Sequence, residues 1–508
     1  MFSLALFIGL YSYGVFFLGI IGWLTRPDIF LFTLIWLILL IIYILKIDFK
    51  PARPAGGFQI NNLKLDSLSR LFLLLIFLQL LINLIGALGP ELGFDALWYH
   101  LTLPKLWLSE GFLKFYPGPI NKYSVMPMLT ELLYIPAVAL GSAVWAKLIH
   151  YSFGILTLFV TYRLSRKFLT VRYSLLAVLI MSSNLVFSWQ QATAYIDLAR
   201  TFFESLALLL FLENKFYKSA VSLGLAACTK LLALGSLPIY WILLWYQKRS
   251  VKYAIYYLLI TVILISPWLL RSYLATGNPV YPFFSPMLDE TSISLNPLDI
   301  WRLFISSSDP VNPIHLIVLP LVFPQFLRLK LKLRLVSVYC LLSLLVWWLT
   351  PRTGGGRFIL PYLPAFSVLT AIIIFELRDK FIRNFLIYLS LILSIISISY
   401  RFAANTKYLP VIFGLQSRQD FLSKNLNFSF GDYTDTDNYL TAILHPSDKI
   451  AVLGINNLFY IPIAHITDDV SGADYLLIRY TDSDFAPDSS WMLLHENPLT
   501  HTRLYRHP

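Results

Sequence analysis

Charge is what this chain has least of. Only 13% of its 508 residues are Asp, Glu, Lys or Arg, against about 25% in soluble domains. Hydrophobic residues make up 57%, and mean hydropathy is +0.67. Such a chain cannot cover itself with polar surface, so lipid must replace the missing water-facing area, and a soluble protein is excluded. Cysteine is nearly absent too. Cys228 and Cys340 lie inside apolar segments without metal-ligand or CxxC spacing, so neither a disulfide nor thiol chemistry is expected. The first 24 residues lack the basic start of a secretion signal and run on into further apolar sequence, which reads as a membrane helix. The formal charge of +12 does not point to nucleic acid, because the bases fall in short clusters between apolar runs, the orientation code of a multi-pass membrane protein.

What is present is a series of apolar runs, at 5–24, 29–47, 70–88, 143–162, 173–190, 198–213, 219–233, 235–246, 253–270, 314–327, 335–350, 358–375 and 384–400. A bilayer core needs about 20 apolar residues per helix, so about thirteen spans are expected, with the short pair around Gly235 and Pro238 open to a re-entrant reading. The bases agree with that count. Clusters at 46–70, 163–172, 215–218, 248–252, 328–334 and 378–383 fall on one side, which places the N-terminus in the cytoplasm and the chain in the plasma (inner) membrane. Residues 1–400 then form an all-α transmembrane domain. Residues 401–508, acidic in net charge, form a soluble extracytoplasmic domain in which 450–453 and 475–478 read as short strands of an α/β unit.

The outer loop 89–142 is too long and too structured for a connector. It interleaves Leu and Pro with Glu91, Asp95, Trp98, Tyr99, His100, Lys105 and Lys122, a pattern of helices lying along the membrane surface. Asp95, just past a span, suits a general base at headgroup level, though Asp is also a favoured helix cap. His100 lies five residues on, near the same face, but a lone histidine is more often a packing residue. Trp98 and Tyr99 suit interfacial anchoring, with Tyr99 also a donor-contact candidate. In the second outer loop, Asp197 opens the next helix, where the helix dipole alone would favour an acid. Asp95 and Asp197 could converge as an acid/base pair or as half of a metal site. No third ligand is indicated, so no metal or other cofactor is expected.

Lys230 interrupts an apolar stretch, and ionisable groups there are functional candidates by default. With Arg271 it could hold a phosphate, Arg as bidentate partner and Lys as point charge, although Arg271 could equally snorkel to a headgroup. Arg352 and Arg357 flank Gly354, Gly355 and Gly356, where a flexible turn alone is the simpler account. Outside the cytoplasm there is no nucleotide sugar. A synthetic reaction at this rim therefore calls for a donor that is itself a lipid, such as a polyprenyl-phosphate sugar. Asp95 would deprotonate the acceptor hydroxyl, and Lys230 and Arg271 would stabilise the departing phosphate.

Five stretches carry a family resemblance: FDALWYHLTLP at 94–104, TAYIDLARTF at 193–202, CTKLLALGSLP at 228–238, SPWLLRSYLATGNPVYPF at 266–283 and GRFILPYLPA at 356–365. In this order they resemble bacterial GT-C glycosyltransferases of the protein-mannosyltransferase-like superfamily, which includes the lipid A aminoarabinose transferases. The resemblance covers roughly 60–400. It implies a GT-C fold with Asp95 as catalytic carboxylate, Asp197 as second-loop acid, and Lys230 and Arg271 as phosphate ligands. Ala96 stands where many relatives have a second acid. Met126 precedes Pro127 where some have a phosphate-binding Lys, a role Lys122 could take over. The function implied is inverting sugar transfer from a polyprenyl-phosphate donor to a lipid, polysaccharide or protein acceptor. A transporter or flippase of lipid-linked glycans, or an O-antigen-type ligase or polymerase, are the alternatives. A transporter predicts charges at mid-membrane and inverted repeats, whereas these charges are expected to collect at the outer rim.

Overall fold

The computed structural model describes residues 1–46, 65–116, 123–286, 295–306, 310–350, 355–445, 447–462, 465–467, 469–481, 487 and 490–507. Lys122, Arg352 and Gly354 lie outside these. The protein is a bundle of apolar helices with a small sheet at its C-terminal end. Among the described residues, seven helices are long and apolar enough to cross a membrane, including Phe2–Ile20, Ser67–Leu88, Ala143–Ser165 and Val251–Thr276. Other apolar runs fold as shorter or broken helices. The run at 173–190 breaks at Ser183 and Asn184 into Val171–Ser182 and Leu185–Gln190. The run at 314–327 becomes a five-residue α-helix and a 3-10 segment.

The centre of the bundle is Asp197–Leu212, buried at every position and packed against Phe216–Thr229 and Ala143–Ser165. A helix apolar on all sides belongs in a core, yet this one carries an ion pair inside. Arg200 donates to Glu204 through Nε at 3.0 Å and Nη2 at 2.9 Å. The second Glu204 oxygen accepts from Ser236 at 2.6 Å, and Tyr362 lies 3.3 Å from the guanidinium. Charges thus stand within the bundle as well as at one end of it, contrary to the expected collection at a rim. The pair is closed on packed neighbours, the arrangement that makes a buried charge tolerable.

In the C-terminal region, β1 (Ile450–Leu453) pairs parallel with β2 (Ile466–Thr467) on one side and with β3 (Tyr475–Arg479) on the other. Then β5 (Thr502–Arg506) runs antiparallel to β3, and β4 (Met492–Asn497) closes the edge against β5. Alternate residues serve opposite faces. Ile450, Val452, Tyr475, Leu477 and Leu504 join the main core, while Ala451, Leu476 and Ile478 form a second small cluster.

This domain sits against the loop 89–142. Lys105 Nζ donates to the carbonyls of Phe459 and Ile461, Tyr460 OH donates to Glu91 O at 2.8 Å, and Phe430 packs on Phe94 at 5.1 Å between ring centres. Burial pulls the Lys105 ammonium down to about 7; both of its charge forms carry N–H donors, so the contact survives its titration.

At the other side of the loop, Lys147 is fully buried and caps the end of Ser67–Leu88, donating to Gly86 O and Gly89 O at 2.8 Å and to Pro90 O at 3.1 Å. Helix ends leave carbonyls without partners, and here one ammonium satisfies three. Leaving buried acceptors unmet costs about 1–3 kcal/mol each. Lys147→Met should therefore destabilise the protein by about 2–4 kcal/mol, read as a clear drop in thermal midpoint in detergent; an unchanged midpoint would refute the capping role.

Candidate active site

Asp95 and Asp197, a hundred residues apart in sequence, meet across a single arginine. Arg357 Nη1 donates to Asp95 Oδ2 at 2.6 Å, and its Nε stands 3.8 Å from Asp197 Oδ2. On the far side of Asp197, Lys230 Nζ donates to Oδ1 at 2.7 Å. The four groups alternate in sign in the order carboxylate, guanidinium, carboxylate, ammonium. All are largely buried: Asp197 is 1% exposed, Lys230 16%, Arg357 13% and Asp95 18%.

Local structure explains why both acids are free to face cations. Asp95 leads into a π-helical turn, Ala96–His100, but makes no side-chain cap to it. Single π-turns recur at functional sites, and this wider turn brings Tyr99 back over the acid, its hydroxyl donating to Asp95 Oδ2 at 3.3 Å. Burial, and then the Asp95 carboxylate, hold the Tyr99 phenol well above its usual range, so it remains a donor. Asp197 begins its helix without capping it. The cap is supplied instead by His150, whose Nε2 accepts from Leu198 N at 3.0 Å while Nδ1 donates to Thr193 O at 2.9 Å. A histidine accepting at one nitrogen is neutral.

The two loops are fastened by Glu91, 1% exposed. One carboxylate oxygen accepts from Leu92 N and Gly93 N at 2.8 and 2.6 Å; the other accepts from Ala194 N. Tyr195 completes the junction. Its hydroxyl accepts from Asp95 N at 3.2 Å, and its ring lies under the Arg357 guanidinium at 5.0 Å. Phe358 covers Lys230 at 5.0 Å. Aromatic faces beside cations are attractive and exclude water.

Lys230 terminates the helix Phe216–Thr229 in extended conformation, where a cation meets the negative end of the helix dipole. Arg357 rides on the 3-10 turn Gly355–Phe358, and Gly355 has a φ of 54°, a conformation that favours glycine.

Of the residues read from sequence, Asp95, Tyr99, Asp197 and Lys230 share this cluster. His100 does not bond either acid of the cluster; it is buried and paired through Nδ1 with Glu131 at 2.8 Å, its ring 4.2 Å from that of Tyr99. Arg271, expected to share a phosphate with Lys230, stands apart from the cluster. Its guanidinium is 8% exposed and donates to the carbonyls of Ser124 at 2.6 Å, Leu113 at 3.0 Å and Lys114 at 3.2 Å, with Trp107 against it at 5.7 Å. It braces the loop 89–142, and the arginine that reaches the two acids is Arg357. The sequence reading assigned Arg357 to a flexible turn and singled out neither Tyr195 nor His150. The signal for Arg357 was its place at the head of the GRFILPYLPA motif. Among the described residues no group of three or more His, Cys, Asp or Glu is assembled that could hold a metal ion.

The backbone matches two solved structures of ArnT from Cupriavidus metallidurans, one bound to undecaprenyl phosphate and one in the apo state. In each case the TM-score is 0.55, the identity 12%, and the match covers 85% of this chain and 97% of the other. The chain has the fold of ArnT. The GT-C fold read from the five motifs is therefore borne out. No protein-family model and no curated protein matches the sequence.

If Arg271 is a brace for the loop, its removal orphans three buried carbonyls. Arg271→Leu should lower stability by about 3 kcal/mol, seen as a reduced thermal midpoint together with faster proteolysis within 89–142. A variant as stable as the parent would return Arg271 to the list of ligand-binding candidates.

Proposed function

We propose that the protein is a membrane-embedded inverting glycosyltransferase that moves a sugar from a polyprenyl-phosphate donor to an acceptor on the extracytoplasmic face. One observation carries this reading: two carboxylates and two cations alternate in one partly buried cluster at the end of the bundle where the C-terminal domain docks. The similarity to ArnT, one of whose structures holds undecaprenyl phosphate, supports a lipid phosphate as the donor's leaving group.

Lys230 and Arg357 are the phosphate ligands in this reading. A donor phosphate draws both cations toward itself, and Asp95 Oδ2, released from Arg357, accepts the proton of the acceptor hydroxyl. The acceptor oxygen bonds to the anomeric carbon from the face opposite the phosphate as the carbon–phosphate-oxygen bond breaks, its electron pair leaving on the polyprenyl phosphate. Preorganised cations at that oxygen stabilise the charge as it develops. Asp197, held by Lys230, keeps the ammonium in place, and Tyr99 orients Asp95. The domain 401–508 is then extracytoplasmic and the clusters of bases between helices cytoplasmic.

Asp95→Asn should retain the affinity for undecaprenyl phosphate and lose transfer by about a hundred- to ten-thousand-fold, the usual contribution of a general base; transfer at the parent rate would reject Asp95 as base. Lys230→Gln and Arg357→Gln should each weaken undecaprenyl phosphate binding by about ten- to a hundred-fold, the worth of a charge-assisted hydrogen bond, with Arg271→Gln close to the parent. Equal losses at all three positions would contradict the assignment.

A further inference from the structure

The ion pair inside the bundle lies on the same face of its helix as Asp197. Positions 197, 200 and 204 are spaced i, i+3 and i+7 along Asp197–Leu212, which is one side of an α-helix. Replacing a buried ion pair by packed apolar residues is often neutral or stabilising. Stability is therefore not the reason for Arg200 and Glu204, and their partners supply another.

Arg200, Glu204, Ser236 and Tyr362 close a ring of hydrogen bonds. Ser236 gives its one hydroxyl proton to Glu204 Oε2 at 2.6 Å, so in the 2.9 Å contact between Ser236 Oγ and Tyr362 OH the tyrosine donates. Tyr362 OH in turn accepts from Arg200 Nη2 at 3.3 Å, and Arg200 returns to Glu204. All four side chains are buried. Every proton in the ring has one direction, and a satisfied buried network of this kind is rigid. A further bond leaves the ring from Arg200 Nη2 to Leu232 O at 3.4 Å.

Through the chain, the ring reaches both cations of the cluster. Leu232 and Ser236 stand two and six residues after Lys230, on and just after the 3-10 turn Leu231–Gly235. Tyr362 ends the 3-10 turn Leu360–Tyr362, five residues after Arg357, and that turn packs on Asp197–Leu212. Turns of this type have poorer hydrogen bonds than an α-helix, so the two segments need an outside hold to fix their side chains. We infer that Arg200 and Glu204 are positioning residues: their ring, seated on the helix that begins with Asp197, sets the separation of Lys230 and Arg357 and so fits the two cations to one phosphate. This rests on the donor-phosphate reading above and adds the device that holds the two ligands at the required spacing.

Two readouts on the full chain in phosphatidylcholine nanodiscs test it: the rate of reductive methylation at each lysine, followed by mass spectrometry, and the affinity for undecaprenyl phosphate. In the double variant Arg200→Met/Glu204→Leu the thermal midpoint should match or exceed the parent's, with Lys230 labelled about five-fold faster and undecaprenyl phosphate bound about ten-fold more weakly. Lys147, buried elsewhere in the bundle, is the control and should keep its labelling rate. Adding Lys230→Gln to the double variant should weaken binding by less than the product of the separate losses, because the ring acts through that lysine. Tyr362→Phe, which opens the ring by removing one hydroxyl, should show the same pattern at about three-fold, and it decides the matter if the double variant does not fold. The inference is overturned if Lys230 labelling is unchanged, if Lys147 labelling rises with it, if the losses multiply, or if the double variant keeps its affinity for undecaprenyl phosphate while Lys230→Gln loses it. Failure of the donor assignment alone would appear as unaltered undecaprenyl phosphate binding in Lys230→Gln and Arg357→Gln, and the labelling of Lys230 would still decide whether the ring positions it.

Discussion

Two carboxylates held in a low-dielectric pocket repel each other and resist ionisation unless a cation stands between them. Arg357 is that cation, bonded to Asp95 and within 4 Å of Asp197. Its position explains how acids from separate loops can be brought together at all, and why a lysine is set on the outer flank of the pair. The same balance makes the cluster responsive. In the proposed reaction the donor phosphate changes the sign count, and charges that satisfy one another here are redistributed around it. Buried ion pairs contribute little net stability; their use here is to hold chemical groups ready at fixed distances.

Holding those distances falls to residues that touch none of the reacting groups. Glu91 ties the stretch before Asp95 to the stretch before Asp197 through three main-chain N–H groups. His150 takes over the helix cap that Asp197 would otherwise supply, leaving its carboxylate for Lys230. Lys147 closes the helix from which Glu91 departs. Each satisfies buried backbone groups, and polar groups within a membrane protein have no water to fall back on. Precision at the site is thus a by-product of hydrogen-bond satisfaction in the loops around it.

Much of this was readable in advance, and the exceptions have physical causes. Helix positions followed from apolar run length, and β1 and β3 from short β-prone runs between polar turns, whereas β2, β4 and β5 carry no such run; β4 has His495 and Glu496 in its midst. Asp95, Asp197 and Lys230 stood out because charge is scarce in apolar sequence. Arginine gave the weaker signal. Arg271 and Arg357 both adjoin apolar runs, 253–270 and 358–375, and look alike in one dimension; only the fold shows that one faces carbonyls and the other carboxylates. Arg200 and Glu204, four residues apart on one helix, satisfy each other; the first lies in the motif at 193–202, whose acid drew the attention, and the second just beyond it.

The domain 401–508 is attached to the loop 89–142 chiefly through main-chain oxygens, those of Phe459, Ile461 and Glu91. A carbonyl is common to all twenty amino acids, so on its accepting side this fastening is indifferent to side-chain identity, and it rests on two donors, Lys105 and Tyr460. Residues elsewhere on the seam can accordingly change while these two donors keep the joint closed.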